Sequence, residues 1–153
     1  MDSPGNPKGI VAGVIGLLLA AAVVSALRGA LDRRPSIRWE PAFADARLEA
    51  RRLNRPLMVV FEAPWCGWCA RMERQCLRDS AVVNLSRRFV CVRVDVDRQP
   101  DIAAAYGGWS VPYLAFLAPD GAKVRSVAGF AEAGEVVRAM TDALRTCKGP
   151  PVQ

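Results

Sequence analysis

The sequence predicts an α/β domain, a central mixed β-sheet flanked by helices, preceded by one N-terminal transmembrane helix. Three observations carry that expectation. Short β-prone apolar runs alternate with helix-forming stretches in the order β-α-β-α-β-α-β-β-α, and such alternation builds a sheet with helices over its faces. The last two runs flank Pro119-Asp120-Gly121, a turn signal that pairs them as an antiparallel hairpin and makes the sheet mixed. Ahead of them all, residues 10–27 contain Ile, Val, Leu, Ala and Gly, one Ser and no charge.

Residues 1–9 form a polar tail. As a helix, residues 10–27 reach about 27 Å, near the lower limit for crossing a bilayer. Two membrane readings compete. A signal anchor retains the segment; a cleaved signal peptide uses Lys8 as its n-region charge and Val24-Ser25-Ala26 as its cleavage site. The anchor is preferred, because the n-region is weak and the apolar run is long for an h-region. Either way membrane lipid is an expected partner of residues 10–27, and a single-pass membrane protein with its domain on the periplasmic side is the expected location. The arginines keep the opposite orientation open: Arg28, Arg33, Arg34 and Arg38 follow the segment and only Lys8 precedes it, which by the positive-inside rule places the domain in the cytoplasm.

Residues 28–36 are read as a linker and 37–146 as the domain. Ile37-Arg38-Trp39 is its expected first strand. Pro41 suits the first position of a helix over Ala42–Leu53, with Phe43, Ala46, Ala50 and Leu53 as the inward stripe. Asn54-Arg55-Pro56 ends it. Strand Leu57–Glu62 follows, then a helix over Trp65–Leu77. Asp79-Ser80 caps a further helical stretch to Arg87. Phe89–Val96 is the third strand. Asp101–Tyr106 is a short helix between Pro100 and Gly107-Gly108. Tyr113–Leu117 and Lys123–Ala128 make the hairpin. Glu132–Arg145 is the closing amphipathic helix, with Val136, Val137, Met140 and Leu144 inward, and 147–153 is a flexible tail.

The 153 residues carry a net charge of +6, from 21 Lys and Arg against 15 Asp and Glu. That balance favours anionic headgroups or acidic protein partners. Nucleic acid is not expected as a partner, since the arginines are scattered and no aromatic-basic platform forms. The chain has no histidine, which rules out Ser-His and Cys-His catalytic pairs. No metal and no cofactor are expected: zinc sites want two close ligand pairs where this chain has one, and Ala70 stands where haem attachment needs His.

That one pair is Cys66 and Cys69, in Trp65-Cys66-Gly67-Trp68-Cys69, between the apolar run Leu57–Phe61 and the helix formers Ala70–Gln75. A cysteine at a helix N-terminus faces unpaired N–H groups and the positive end of the macrodipole, which favour thiolate over thiol. A second cysteine one turn on is close enough to close a short disulfide. The pair therefore points to reversible thiol–disulfide chemistry.

Together with Asp95-Val96-Asp97-Arg98-Gln99-Pro100, Ser110-Val111-Pro112-Tyr113, Pro119-Asp120-Gly121 and Val127-Ala128-Gly129-Phe130, this motif resembles the thioredoxin superfamily over Ile37–Arg145. The Ala- and Arg-rich helix before Arg55-Pro56, and Asp79-Ser80-Ala81-Val82 after the motif, resemble the branch that includes the C-terminal domain of the membrane disulfide transporter DsbD. The resemblance implies the thioredoxin fold and a thiol–disulfide oxidoreductase. Cys66 would attack a substrate disulfide and Cys69 resolve the mixed disulfide. Partners would be protein disulfides or dithiols and an upstream thiol electron donor, with reduction the preferred direction. Trp65, Trp68, Val111 and Pro112 would contact substrate. Pro112 would be cis, with Val111 offering its backbone to an extended strand; an ordinary trans proline is the alternative. Trp68 packing on the domain rim is as good a reading as partner selection.

The sequence departs from the family at one position. Many thioredoxins carry a buried Asp six residues before the first Cys; here Val60 holds that place, with Arg93 where a Lys partner is usual. Glu62, on the same strand face, is a candidate substitute for proton transfer, but a rim position, with water carrying the proton, is the preferred reading. Cys76 lies seven residues after Cys69, on the same helical face but two turns away and too far for a disulfide with it; Cys91 is expected as a small buried residue and Cys147 to lie exposed in the tail, and a Cys76–Cys91 pairing stays open. Two rival functions stay open. One is a non-catalytic binding module docking a client or membrane partner on the Val111-Pro112 face. The other is a redox-sensing regulator that uses Cys76 or Cys147.

Overall fold

The computed structural model describes residues 16–25 and 35–147, and the chain divides into two units, 1–34 and 35–153. In the first, residues 16–25 are helical with exposed side chains. Among the described residues no helix is long and apolar enough to cross a membrane. The remainder of the expected 10–27 span, the 1–9 tail, most of the 28–36 linker and the tail beyond Cys147 lie outside the described residues.

The second unit holds a five-stranded sheet in the order β1-β3-β2-β4-β5. Its strands are β1 (Trp39–Glu40), β2 (Leu57–Glu62), β3 (Val90–Asp95), β4 (Tyr113–Leu117) and β5 (Lys123–Ala128). β1 and β2 run parallel to β3; β4 runs antiparallel to both β2 and β5. The mixed sheet and its terminal hairpin are those the sequence predicts. Its helices are α1 (Phe43–Leu53), α2 (Gly67–Met72), α3 (Ser80–Ser86), α4 (Pro100–Tyr106) and α5 (Ala133–Cys147).

β2 is central and buried along its length, as its unbroken apolar run requires. Its side chains alternate between two cores. Leu57, Val59 and Phe61 face α1 and α4 through Ala46, Ala50 and Ala103. Met58 and Val60 face the other layer, with Met72, Val82, Val136 and Met140. This alternation decides where the chemistry sits: Glu62 continues the Met58–Val60 face and comes out beneath α2.

Four details differ from the expected elements. Pairing of β1 begins at Trp39 rather than Ile37, which is instead buried in the core. Leu53 is 36 % exposed; it is in the last turn of α1 and faces a surface cavity shared with Arg38 and Phe89. The helix expected over Trp65–Leu77 starts at Gly67, and its last part, Glu73–Leu77, is wound as a π-helix. Cys147, placed in the tail by the sequence, closes α5 and is half-buried.

Candidate active site

The site forms where β2 runs out. Pro64 has no N–H to continue a ladder, and the chain turns there: the Cys66 N–H donates to the Ala63 carbonyl at 3.1 Å. Cys66 is thereby the N-cap of α2, in extended conformation at φ −82°, and its Sγ accepts the Cys69 N–H at 3.0 Å. In an N-cap that acceptor is usually an oxygen. Here a sulfur takes the role, and the same interaction favours the thiolate when the pair is reduced.

Cys66 and Cys69 form a disulfide with their Cα atoms 5.2 Å apart. Each residue is 7 % exposed, so overall burial does not distinguish them; the capping position does. Val111 packs against the small cluster of Ala63, Cys66 and Cys69, and the Val111–Pro112 peptide is cis. The structure thus brings Cys66, Cys69, Val111 and Pro112 together. The Val111 loop is held from two sides. The Gly129 N–H donates to the Pro112 carbonyl at 2.9 Å. Gly108 lies so close to Phe61 that a Cβ there would come within 2.6 Å of the ring.

Three exposed tryptophans belong to the segments that carry the cysteines and Val111. Trp65 is 69 % exposed and donates its Nε1–H to Asp97 Oδ2 at 2.8 Å. Trp68 is 56 % exposed; its ring lies 5.8 Å from that of Phe130, and the Arg71 guanidinium covers both, 5.2 and 4.7 Å from their centres. Rim packing and exposure therefore coexist at Trp68. Trp109, two residues before Val111, is 68 % exposed.

Behind the disulfide, Cys66 and Cys69 share a cavity of about 290 Å³ with Glu62, Glu73 and Arg93. Arg93 Nη1 donates to both oxygens of Glu62, at 3.0 and 3.2 Å, and its Nη2 bonds Glu73 Oε2. The guanidinium also lies 4.3 Å over the Trp39 ring. Burial works against its charge, but the bonds to Glu73 and Glu62 prevail and hold that charge more firmly than usual. Glu62 is thus both a rim residue, 28 % exposed at its side chain, and a wall of the cavity that Cys69 lines.

The remaining cysteines are free and apart from this chemistry. Burial, with Asp79, Glu132 and Glu135 adding to it, pushes the Cys76 thiol up to about 12. Burial, with a smaller push from Glu40, does the same for Cys91. Cys147 is also raised, by burial and by Asp120. None is activated as a nucleophile.

Sequence reasoning did not single out Glu73, Arg71, Trp109 or Phe130. A signal for Glu73 existed: it lies four residues after Cys69, on the same helical face. No comparable spacing linked Phe130 to Trp68, which it meets across a glycine turn.

Residues 38–119 match the family model described as thioredoxin-like. Over 86 residues the chain is 38 % identical to thioredoxin 1 of Synechococcus elongatus, covering 56 % of this chain and 78 % of that protein. It spans only 11–13 % of the first curated relatives it matches, among them human spermatogenesis-associated protein 20, 30 % identical over 93 residues and 54 % of this chain. A thioredoxin from Thermus thermophilus superposes with a TM-score of 0.64 at 28 % identity, over 71 % of this chain and 88 % of that one. The oxidised DsbD C-terminal domain of Neisseria meningitidis, 21 % identical, shares the fold with a TM-score of 0.53 over 62 % of this chain and 86 % of its own.

Proposed function

This chain belongs to the thioredoxin-like family, and on that premise we propose that it is a membrane-tethered thiol–disulfide oxidoreductase that reduces protein disulfides. The observation that carries the reading is the disulfide between Cys66, the N-cap of α2, and Cys69, with the Cys69 N–H on the Cys66 sulfur. In the reduced pair Cys66 is the thiolate. Its Sγ attacks one sulfur of a substrate disulfide; the other substrate sulfur leaves as thiolate, and a mixed disulfide remains on Cys66. Cys69 then gives up its proton and attacks Cys66 Sγ. The Cys66–Cys69 disulfide forms, and the substrate leaves as a dithiol once protonated. An upstream dithiol donor returns the two electrons.

Proton acceptance from Cys69 falls to the Glu62 and Glu73 carboxylates, which face the same cavity and are kept close together by Arg93. Water in that cavity carries the proton across whatever distance remains. Val60, which is buried and apolar, supplies none of this.

Tethering rests on residues 10–27. Within the described part, Leu17, Leu18, Leu19, Val23 and Val24 are 45–73 % exposed, a helix apolar on every side and suited to lipid rather than water. The domain is then held at the membrane surface, on the periplasmic side. A reporter fused after Gln153 and active on one side only tests that placement.

The catalytic reading is tested with Cys69→Ser. Mixed disulfides between Cys66 and other proteins are expected to accumulate and to vanish in Cys66→Ser. Absence of such adducts, together with no reduction of a model protein disulfide by the wild type and a dithiol donor, would sink it.

A further inference from the structure

The sheet edge farthest from the disulfide gathers a second set of charges. β1, β2 and β3 run parallel, so all three begin at that edge, with Trp39 beside Cys91 and Leu57 beside Val90. Arginine stands just ahead of each strand: Arg38 before β1, Arg55 before β2, and Arg87 with Arg88 before β3. All four are exposed. Three of them, Arg38, Arg55 and Arg87, line one surface cavity of about 520 Å³. Among the described residues, none of these three is in an ion pair. Two carboxylates also line the cavity, but Glu49 is already held by Nε and Nη2 of Arg52, at 2.8 and 2.7 Å. Glu40 is left to offset the three arginines. Leu53 and Phe89 give the cavity an apolar wall beside its cations.

We propose that this basic cavity docks the domain on anionic phospholipid headgroups and so points the Cys66–Cys69 disulfide away from the bilayer. The inference rests on the tether reading of residues 10–27 and names where the domain meets lipid. Guanidinium groups bind phosphate oxygens through paired N–H groups, and their charge is never lost near neutral pH. A phospholipid offers a phosphate to the arginines and a glycerol and acyl start to Leu53 and Phe89, a wall that free phosphate leaves uncovered. The route of the chain favours lipid over an acidic protein segment. Pro35, which lines the cavity, is where the chain enters the domain, and residues 28–34 before it reach at most about 25 Å. With residues 10–27 in a bilayer, headgroups are therefore always within range, at high effective concentration. Arg28, Arg33 and Arg34 in that segment add charge of the same sign. β2 then sets the direction. Its six residues separate the cavity from the cysteines, about 20 Å of strand, so a domain seated by this edge presents its disulfide to solvent and to protein substrates.

The test uses the full chain in lipid nanodiscs, made of phosphatidylcholine alone or with about one third phosphatidylglycerol. Phenylglyoxal modifies accessible arginines, and mass spectrometry follows each position. Arg98, exposed beyond the far end of β3, is the internal reference. In the anionic discs, modification of Arg38, Arg55 and Arg87 relative to Arg98 is expected to slow about tenfold, and molar salt is expected to abolish the difference. In Arg38→Gln combined with Arg87→Gln, Arg55 is expected to lose its protection while thermal melting stays that of the wild type. Equal modification in the two kinds of disc, or protection of Arg55 that persists in the double variant, would overturn the inference and leave the tether standing. Slowing that includes Arg98 would overturn it too, since the domain would then be covered without being oriented. Equal protection in phosphatidylcholine discs by inorganic phosphate or by polyglutamate would overturn the lipid assignment, in favour of a free anion or an acidic protein. A chain that molar salt strips from both kinds of disc would overturn the tether reading and this inference with it.

Discussion

Arg93 forks across Glu62, with Nη1 3.0 and 3.2 Å from the two carboxylate oxygens, and it does so from the strand position paired with Val60. Its second nitrogen bonds Glu73 on the helix above. One cation thus ties the end of β2 to the helical run that carries Cys69, and it allows two carboxylates to share a cavity with the cysteines. Without it, two like charges beside the pair would disfavour the thiolate. Arg93→Ala is therefore expected to slow alkylation of reduced Cys66 by iodoacetamide near neutral pH. It is also expected to cost about 1–2 kcal/mol in urea unfolding, a figure discounted because all three side chains are about 30 % exposed. Arg93→Lys should recover only part of both, since a point ammonium cannot bridge two carboxylates as a planar fork does.

The same pair of carboxylates makes the second chemical step separable from the first. In Glu62→Gln combined with Glu73→Gln, attack by Cys66 still proceeds, but Cys69 has only water to take its proton. The mixed disulfide should then live about tenfold longer, at the lower end of what general-base catalysis contributes because solvent also reaches the cavity. Quenching with acid at timed intervals and resolving the adduct by mass measures this. An unchanged lifetime would assign proton transfer to water alone.

Gly108 is the position where the site depends on a missing side chain. Its hypothetical Cβ would fall 2.6 Å from two atoms of the buried Phe61 ring, and that ring is anchored by Tyr113 at 5.8 Å. Gly108→Ala must displace either the ring or the loop, at a cost of about 1–3 kcal/mol. Because the loop leads directly to Val111 and Pro112, disulfide reduction should fall more than stability does. Thermal melting and turnover measured on one preparation decide this.

The fold was largely legible because its signals are local. Leu57–Glu62, Tyr113–Leu117 and Lys123–Ala128 begin and end where apolar alternation and turn residues place them. The spacing of Cys66 and Cys69 announced their chemistry. What escaped was set by tertiary approach. The π-winding of Glu73–Leu77 has no periodic signature in a stretch of ordinary helix formers. Arg93 meets Glu62 and Glu73 across 31 and 20 residues of sequence. Phe130 meets Trp68 across 62 residues of sequence (130 − 68), and the turn before it is held by a single backbone bond from Gly129 to Pro112. Residues 10–27 are the opposite case, a clear compositional signal over a segment of which only 16–25 is described.

Cys76 and Cys91 place an alkaline limit on the domain. Both are buried and free, and each thiol is raised from an ordinary value of 9.0 to about 12. At neutral pH folded and unfolded chains both keep these protons, so neither cysteine makes stability depend on pH. Above pH 9 the unfolded chain releases them while the folded chain retains them up to about 12. Fewer protons bound in the unfolded state means that stability falls as pH rises through this window, by up to about 1.4 kcal/mol per pH unit for each thiol. In the oxidised protein, where Cys66 and Cys69 do not titrate, urea unfolding between pH 9 and 11 should therefore steepen in the wild type. Cys91→Ala should be less stable at pH 7, because it leaves a small gap in the core, yet lose less on going to pH 11. Parallel slopes for the two proteins would show that the Cys91 thiol ionises as readily folded as unfolded.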